Sequence, residues 1–205
     1  VYNAPVTAYV PTVPAGYSFS GWGEEIPANM PAEDLEYSGT ITANTNTPYA
    51  IRYWLQNIED DEYTEDTESA VVTTGTTDAT ITATVAVPTG FHLNETTSTV
   101  SGKIGGNGQT VLNVYYDRDM HSVSYSYTGD VHPENEPAAP ATQSYKYGAT
   151  IPAGEKPTAT GYSFEGWTGE ASTMGTADIA VTGSWTINSY TITYQIEGQD
   201  DVVQT

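Results

Sequence analysis

The chain has 205 residues, with 26 acidic against 5 basic side chains, a formal net charge of −21 at pH 7 and no cysteine. A surface this negative repels phosphate and excludes a basic nucleic-acid face; without thiols there is no disulfide framework, thiolate nucleophile or Cys-ligated metal. No apolar run approaches the roughly 18 residues of a membrane span, and no signal-peptide pattern occurs, so addressing segments are expected elsewhere and membrane insertion is not. In chain order, the first punctuated stretch is Gly16-Tyr17-Ser18-Phe19-Ser20-Gly21-Trp22. Met30-Pro31-Ala32-Glu33-Asp34-Leu35 follows as the only helix-like signal, a turn or two at most, because a proline sits inside it and no 3.6-residue period is sustained.

From Tyr49 the pattern changes. Tyr49, Ile51, Tyr53 and Leu55 alternate with other side chains as a half-buried strand requires. Ile81, Ala83, Val85 and Val87 face away from Thr80, Thr82 and Thr84 in a further predicted strand, and Val111 to Tyr116 is another β-rich run. Pro88-Thr89-Gly90 and Gly105-Gly106-Asn107-Gly108 mark turns between them. Val123, Tyr125 and Tyr127 then alternate with serines, and Asp130 to Thr142, with Pro133, Pro137 and Pro140, predicts a long extended connection.

Gly161-Tyr162-Ser163-Phe164-Glu165-Gly166-Trp167 repeats the first signature at six of its seven positions. Met30, Asp34, Leu35, Gly39 and Asn44 fall against Met174, Asp178, Ile179, Gly183 and Asn188, and Tyr2-Asn3-Ala4 against Tyr147-Gly148-Ala149. The chain therefore holds two copies of one module. The predicted division is a module over residues 1–48 that lacks its first strand, a different β segment over 49–120, a complete module over 121–189, and the first strand of a further module over 190–205. In that tail Tyr190, Ile192, Tyr194 and Ile196 alternate with polar residues, and a loop is expected to follow. Writing Thr205 before Val1 sets Val203 to Asn3 against Gln143 to Gly148. A sheet lacking a strand leaves apolar side chains and backbone groups uncovered. The tail strand is therefore expected to complete the N-terminal module of another copy, either within a longer covalent tandem array or by donation between separate chains, with Tyr2, Tyr17, Phe19 and Trp22 on the acceptor side.

The Gly-Tyr-Ser-Phe-Glu-Gly-Trp signature, with Ala177 to Thr186 and Tyr190 to Tyr194 after it, resembles the Listeria-Bacteroides repeat, also called the internalin B-repeat. The middle segment, through Tyr53 to Asn57, Gly90-Phe91, Thr99 to Gly102 and Val114 to Asp117, is similar to mucin-binding-protein-like repeats. The resemblance spans essentially the whole chain. It implies small β-grasp-like modules in tandem on secreted or wall-attached bacterial proteins, with host glycan or mucin as a partner to consider and no catalytic motif.

Individual residues carry little chemistry. Trp22 and Trp167 admit sugar stacking, but their shared place in a repeated apolar pattern favours packing; Trp54 is the residue to test as a ligand contact. Glu59-Asp60-Asp61-Glu62 offers oxygens for calcium but lacks the spacing and glycine of an EF-hand loop, so a solvated turn is expected, and Asp200-Asp201 is weaker still. His92, His121 and His132 are too scattered to predict a zinc or catalytic site. A Lys-to-Asn isopeptide bond would need Lys103, Lys146 or Lys156, and two of these lie beside a glycine-rich turn or a proline. No nucleophile elbow, phosphate loop or dinucleotide fingerprint occurs, so no enzyme is expected. The sequence predicts an all-β chain of tandem modules arranged as an elongated rod. Its expected role is that of a structural repeat of an extracellular stalk or filament assembled head-to-tail, the alternative being an adhesin for host glycan or protein.

Overall fold

Alternating aromatic and β-branched residues broken by Gly and Pro give no stretch a helical period. The computed structural model, which describes residues 1–205, accordingly contains no helix. Val1–Asn57, Glu62–Pro88 and His92–Asp117 form one compact unit, and Ile58–Asp61, Thr89–Phe91 and Arg118–Thr205 a second.

In the first unit β1 (Tyr17–Phe19) pairs antiparallel with β2 (Ile41–Ala43), and these two make a sheet of their own. The chain continues through β3 (Thr47–Gln56), β4 (Tyr63–Gly75), β5 (Thr80–Thr82), β6 (Phe91–Leu93), β7 (Ser101–Lys103) and β8 (Thr110–Arg118). These form a four-stranded sheet in the order β4-β3-β8-β6 and a small β5-β7 pair. At the centre β3 and β8 run parallel, setting Ile51, Tyr53 and Leu55 beside Leu112, Val114 and Tyr116. Alternation puts all six on one face, and Ile51, Tyr53, Leu112, Val114 and Tyr116 are buried together with Ile104 and Ala83.

Two sequence expectations change here. β5 covers only Thr80–Thr82, because its partner β7 is three residues long; beyond buried Ala83 the chain leaves the ladder, and Val85 and Val87 are exposed. The Met30 to Leu35 stretch forms no helical turn. Met30 uses its C=O to accept from Asn3 and its N–H to donate to Ala4, and a residue bridged on both sides cannot wind.

The segment carrying β1 and β2 packs directly onto the loops of the larger sheet. Asn44 donates to the Gly16 carbonyl at 2.8 Å, Thr77 donates to the Asn44 carbonyl at 2.9 Å, and the Tyr17 hydroxyl donates to Asp78. Gly16 and Gly106 face each other so closely that a Cβ on Gly106 would run into the Ala15 carbonyl.

In the second unit β9 (Met120–Tyr127), β10 (Gln143–Lys146), β11 (Tyr162–Thr168) and β12 (Ile179–Ile187) form a sheet in the order β10-β9-β12-β11. β9 and β12 are parallel, with Val123 beside Ile179 and Tyr125 beside Val181. Both four-stranded sheets thus place their first and last strands side by side at the centre. Residues 130–142 contain no strand, as the prolines predict. The tail differs from a strand and loop: β13 (Ile192–Tyr194) turns through Gly198 into β14 (Val202–Gln204), because Val202 and Val203 can extend and Gly198 supplies a positive φ of 82°.

Gly106→Ala should destabilise the first unit by about 1–3 kcal/mol, since its negative-φ backbone accepts alanine but the added methyl meets a carbonyl. Urea unfolding followed by tryptophan fluorescence measures this, with Gly175→Ala, which meets no neighbour, as the control.

Candidate functional site

The repeat read from the sequence is matched bond for bond in the two copies. Tyr17 and Phe19 lie opposite Ala43 and Ile41, as Tyr162 and Phe164 lie opposite Ile187 and Trp185. The Asn3 N–H donates to Met30 and the Met30 N–H to Ala4; Gly148, Met174 and Ala149 repeat both bonds. The Ser18 hydroxyl donates to the Asn44 amide oxygen at 2.5 Å, and Ser163 to that of Asn188 at 2.6 Å. Phe19 meets Trp22 edge-on at 5.0 Å, and Phe164 meets Trp167 at 4.8 Å.

What differs is the partner of the last strand. β12 is nine residues long and is held on one side by β11 and on the other by β9. Its counterpart β2 is three residues long and is held by β1 alone. The residues equivalent to the start of β12, Leu35 to Gly39, form no strand. A single ladder leaves half of their backbone groups without a β partner, so the strand shortens.

The vacated position is an apolar groove of about 620 Å³ lined by Val6, Tyr9, Trp22, Ile26, Met30, Leu35, Tyr37 and their neighbours. Its walls are core positions in the complete copy. Val6, Trp22, Met30, Leu35 and Tyr37 correspond to Ile151, Trp167, Met174, Ile179 and Val181, which pack against Val123, Tyr125 and Tyr145. The groove is therefore that core without β9 and β10. Met174 is 1% exposed whereas Met30 is 37% exposed.

The tail presents the complementary surface. Tyr190, Ile192, Tyr194, Ile196, Val202 and Val203 are all exposed, and its hairpin adds no strand to any larger sheet. Ile192 lies opposite Gln204 as Val123 lies opposite Gln143. This corrects the expected alignment by one residue: Gln204, not Val203, matches Gln143. With a period of two, this register puts Gln204 on the face of Ile192, as Gln143 lies on the face of Val123.

Of the acceptor residues only Trp22 lines the groove; Tyr17 and Phe19 are half-buried outside its lining, and Tyr2 is 73% exposed and also outside it. Val6, Met30, Leu35 and Tyr37 line the groove but were not singled out from the sequence. The signal was available, because each aligns with an apolar residue of the complete copy. Asp34 also lines it. Its counterpart Asp178 accepts from the Ser122 N–H of β9 at 2.7 Å, a bond that holds the Asp178 carboxyl below the usual carboxylate range with further help from nearby His121.

The other candidates are engaged in packing or local pairs. Trp22 and Trp167 donate their indole N–H groups to the carbonyls of Tyr9 and Glu155 at 2.9 and 2.8 Å. Trp54 donates to the Asn113 amide oxygen at 3.0 Å and stacks on Tyr115 at 5.8 Å. Asp61 pairs with Lys146 at 3.0 Å, and no three acidic or imidazole side chains converge as a cation site. His92, His121 and His132 stand near Asp117, Asp178 and Glu136 respectively, each with its own carboxylate.

The fold is all-β in several small sheets, and the groove lies beside β2, whose one strand partner is β1. No model of a known protein family matches the chain, nor does any curated protein.

Met174→Ala should cost about 2–5 kcal/mol, as deletion of a fully buried side chain does, whereas Met30→Ala should cost less than about 1 kcal/mol in the isolated chain. Chemical denaturation of the two variants checks this. His132 is held above its ordinary pKa chiefly by its hydrogen bond to Glu136. A raised histidine stabilises the folded state below the unfolded value near 6.5 and loses that contribution as pH rises through the folded value. An NMR titration should find its midpoint above 6.5 and falling back toward it in Glu136→Gln.

Proposed function

We propose that this chain is a structural repeat of an extracellular bacterial stalk or filament, assembled head-to-tail by strand complementation. The β13-β14 hairpin of one copy fills the groove beside β2 of the next. The carrying observation is that the groove is the core of the complete module lacking only β9 and β10, while the tail is an exposed hairpin with the same register. Ile192 then falls beside Leu35, Tyr194 beside Tyr37 and Ile196 beside Gly39, as Val123, Tyr125 and Tyr127 fall beside Ile179, Val181 and Gly183. The Thr191 N–H reaches Asp34 as Ser122 reaches Asp178.

The driving force is burial of apolar surface, roughly 25 cal/mol per Å², together with backbone groups that gain a second ladder. Sheets in the order second, first, last, third, with a parallel central pair, support a β-grasp-like reading of the modules. The net charge of −21 would keep completed filaments apart. This role assigns the chain no catalytic step, and the indole N–H of Trp54, already donated to Asn113, favours packing over host glycan as its use.

Sedimentation of the full chain should find concentration-dependent oligomers that disappear when residues 190–205 are deleted or when Ile192 and Tyr194 are replaced by Asp. Assembly unchanged by these alterations would refute strand donation. A peptide of residues 190–205 added to the truncated chain should raise its melting temperature.

A further inference from the structure

Three places in the chain share one backbone arrangement, although the sequence marks only two of them as copies. At each, a glycine with positive φ precedes the aromatic residue that begins the next-to-last strand of its sheet in chain order: Gly16 (φ 80°) before Tyr17, Gly90 (77°) before Phe91, and Gly161 (83°) before Tyr162. The residue just after the module's last strand donates its N–H to that glycine's carbonyl: Asn44 to Gly16 at 2.8 Å, Asp119 to Gly90 at 2.9 Å, and Asn188 to Gly161 at 2.8 Å.

At the first two places the relay continues. The Asn44 carbonyl accepts from Thr77 at 2.9 Å, and the Asp119 carbonyl accepts from Tyr147 at 2.8 Å. The donating residue, Thr77 or Tyr147, is followed by a left-handed one, Asp78 (63°) or Gly148 (81°), and then by Ala79 or Ala149, whose N–H closes the turn. The joint is tight. Thr77 is 4% exposed against Gly16, and any Cβ on Gly90 would enter the Tyr147 ring, which also meets Phe91 at 6.2 Å.

At the third place only the halves exist. Nothing lies within 4 Å of where a Cβ on Gly161 would be, and no backbone N–H of this chain donates to the Asn188 carbonyl. The matching half is Tyr2-Asn3-Ala4: Tyr2 is 73% exposed, Asn3 is already left-handed at 60°, and Ala4 closes the same turn on Val1 at 3.1 Å. Asn3 is one of only two non-glycine residues with positive φ, and the other is Asp78 in an occupied joint.

We infer a second contact between copies, separate from the inserted hairpin: Tyr2 of one chain seats on Gly161 and Tyr162 of another and donates its N–H to the Asn188 carbonyl. The partner is a second copy of this chain, which rests on the head-to-tail reading above. The hairpin supplies the buried area, and the Tyr2 joint adds a backbone contact of the kind found at Asn44–Thr77 and Asp119–Tyr147.

Two measurements test it. In sedimentation, Tyr2→Ala and Gly161→Asn, the latter able to keep a positive φ, should each weaken association roughly tenfold without lowering the melting temperature of the monomer. Wild-type association in both variants, with the truncation at residue 190 still abolishing it, would overturn the joint and leave strand donation standing. The second measurement uses two full chains linked covalently, Thr205 to Val1 through a short Gly-Ser spacer, with Tyr162→Cys in the first and Tyr2→Cys in the second. The native chain has no cysteine, so a disulfide closing on mild oxidation reports this contact alone. Its formation supports the joint even if separate chains fail to associate, a result that would count against strand donation only. Its absence, while a Phe91→Cys/Tyr147→Cys control at the equivalent positions of an occupied joint closes, would overturn the joint.

Discussion

The parallel pairing of a module's first and last strands is the constraint on which the rest of this structure depends. Where it is present, between β3 and β8 or β9 and β12, the strands it joins are eight to ten residues long and bury Leu112, Val114 and Val181 almost completely. Where the last strand has a partner on one side only, β2 keeps three residues and Leu35 stands 42% exposed. The same residue types thus behave as core or as surface according to whether one neighbouring ladder exists.

The small size of each module explains why this matters. A sheet of four short strands over a small buried core sits near the limit of independent stability. The backbone relays through Asn44 and Asp119 use main-chain groups, so they recur where the side chains differ. The two-stranded tail is the least secure element by the same reasoning, because a lone hairpin buries little and its residues are exposed throughout.

Much of the fold was legible in the residues. The glycine and tryptophan signature identified the repeat, and alternation identified β3, β8, β9 and β13 because one-sided burial writes a period of two into the sequence. Less legible was the kinship of the middle segment with its neighbours. It lacks the signature, yet Asp78-Ala79-Thr80-Ile81 echoes Gly148-Ala149-Thr150-Ile151, and its strands pair in the same order. That order is carried by which strand finds which, a long-range matter on which local pattern is silent. The groove was legible at one wall only: the signature pointed to Trp22, while Val6, Met30, Leu35 and Tyr37 take their roles from their opposite numbers in the complete copy.

Composition and spacing by themselves determined an acidic, cysteine-free, all-β chain built from a repeated unit, because charge and periodicity are local properties that survive in one dimension. Only the tertiary structure decided that the tail folds into a hairpin, that its register is set by Gln204, and that Met30 is exposed where Met174 is buried. It also decided the joints, since a carbonyl that accepts across a turn leaves no trace in residue identity. Backbone hydrogen bonds are common to every sequence, and their partners are chosen by the fold as a whole.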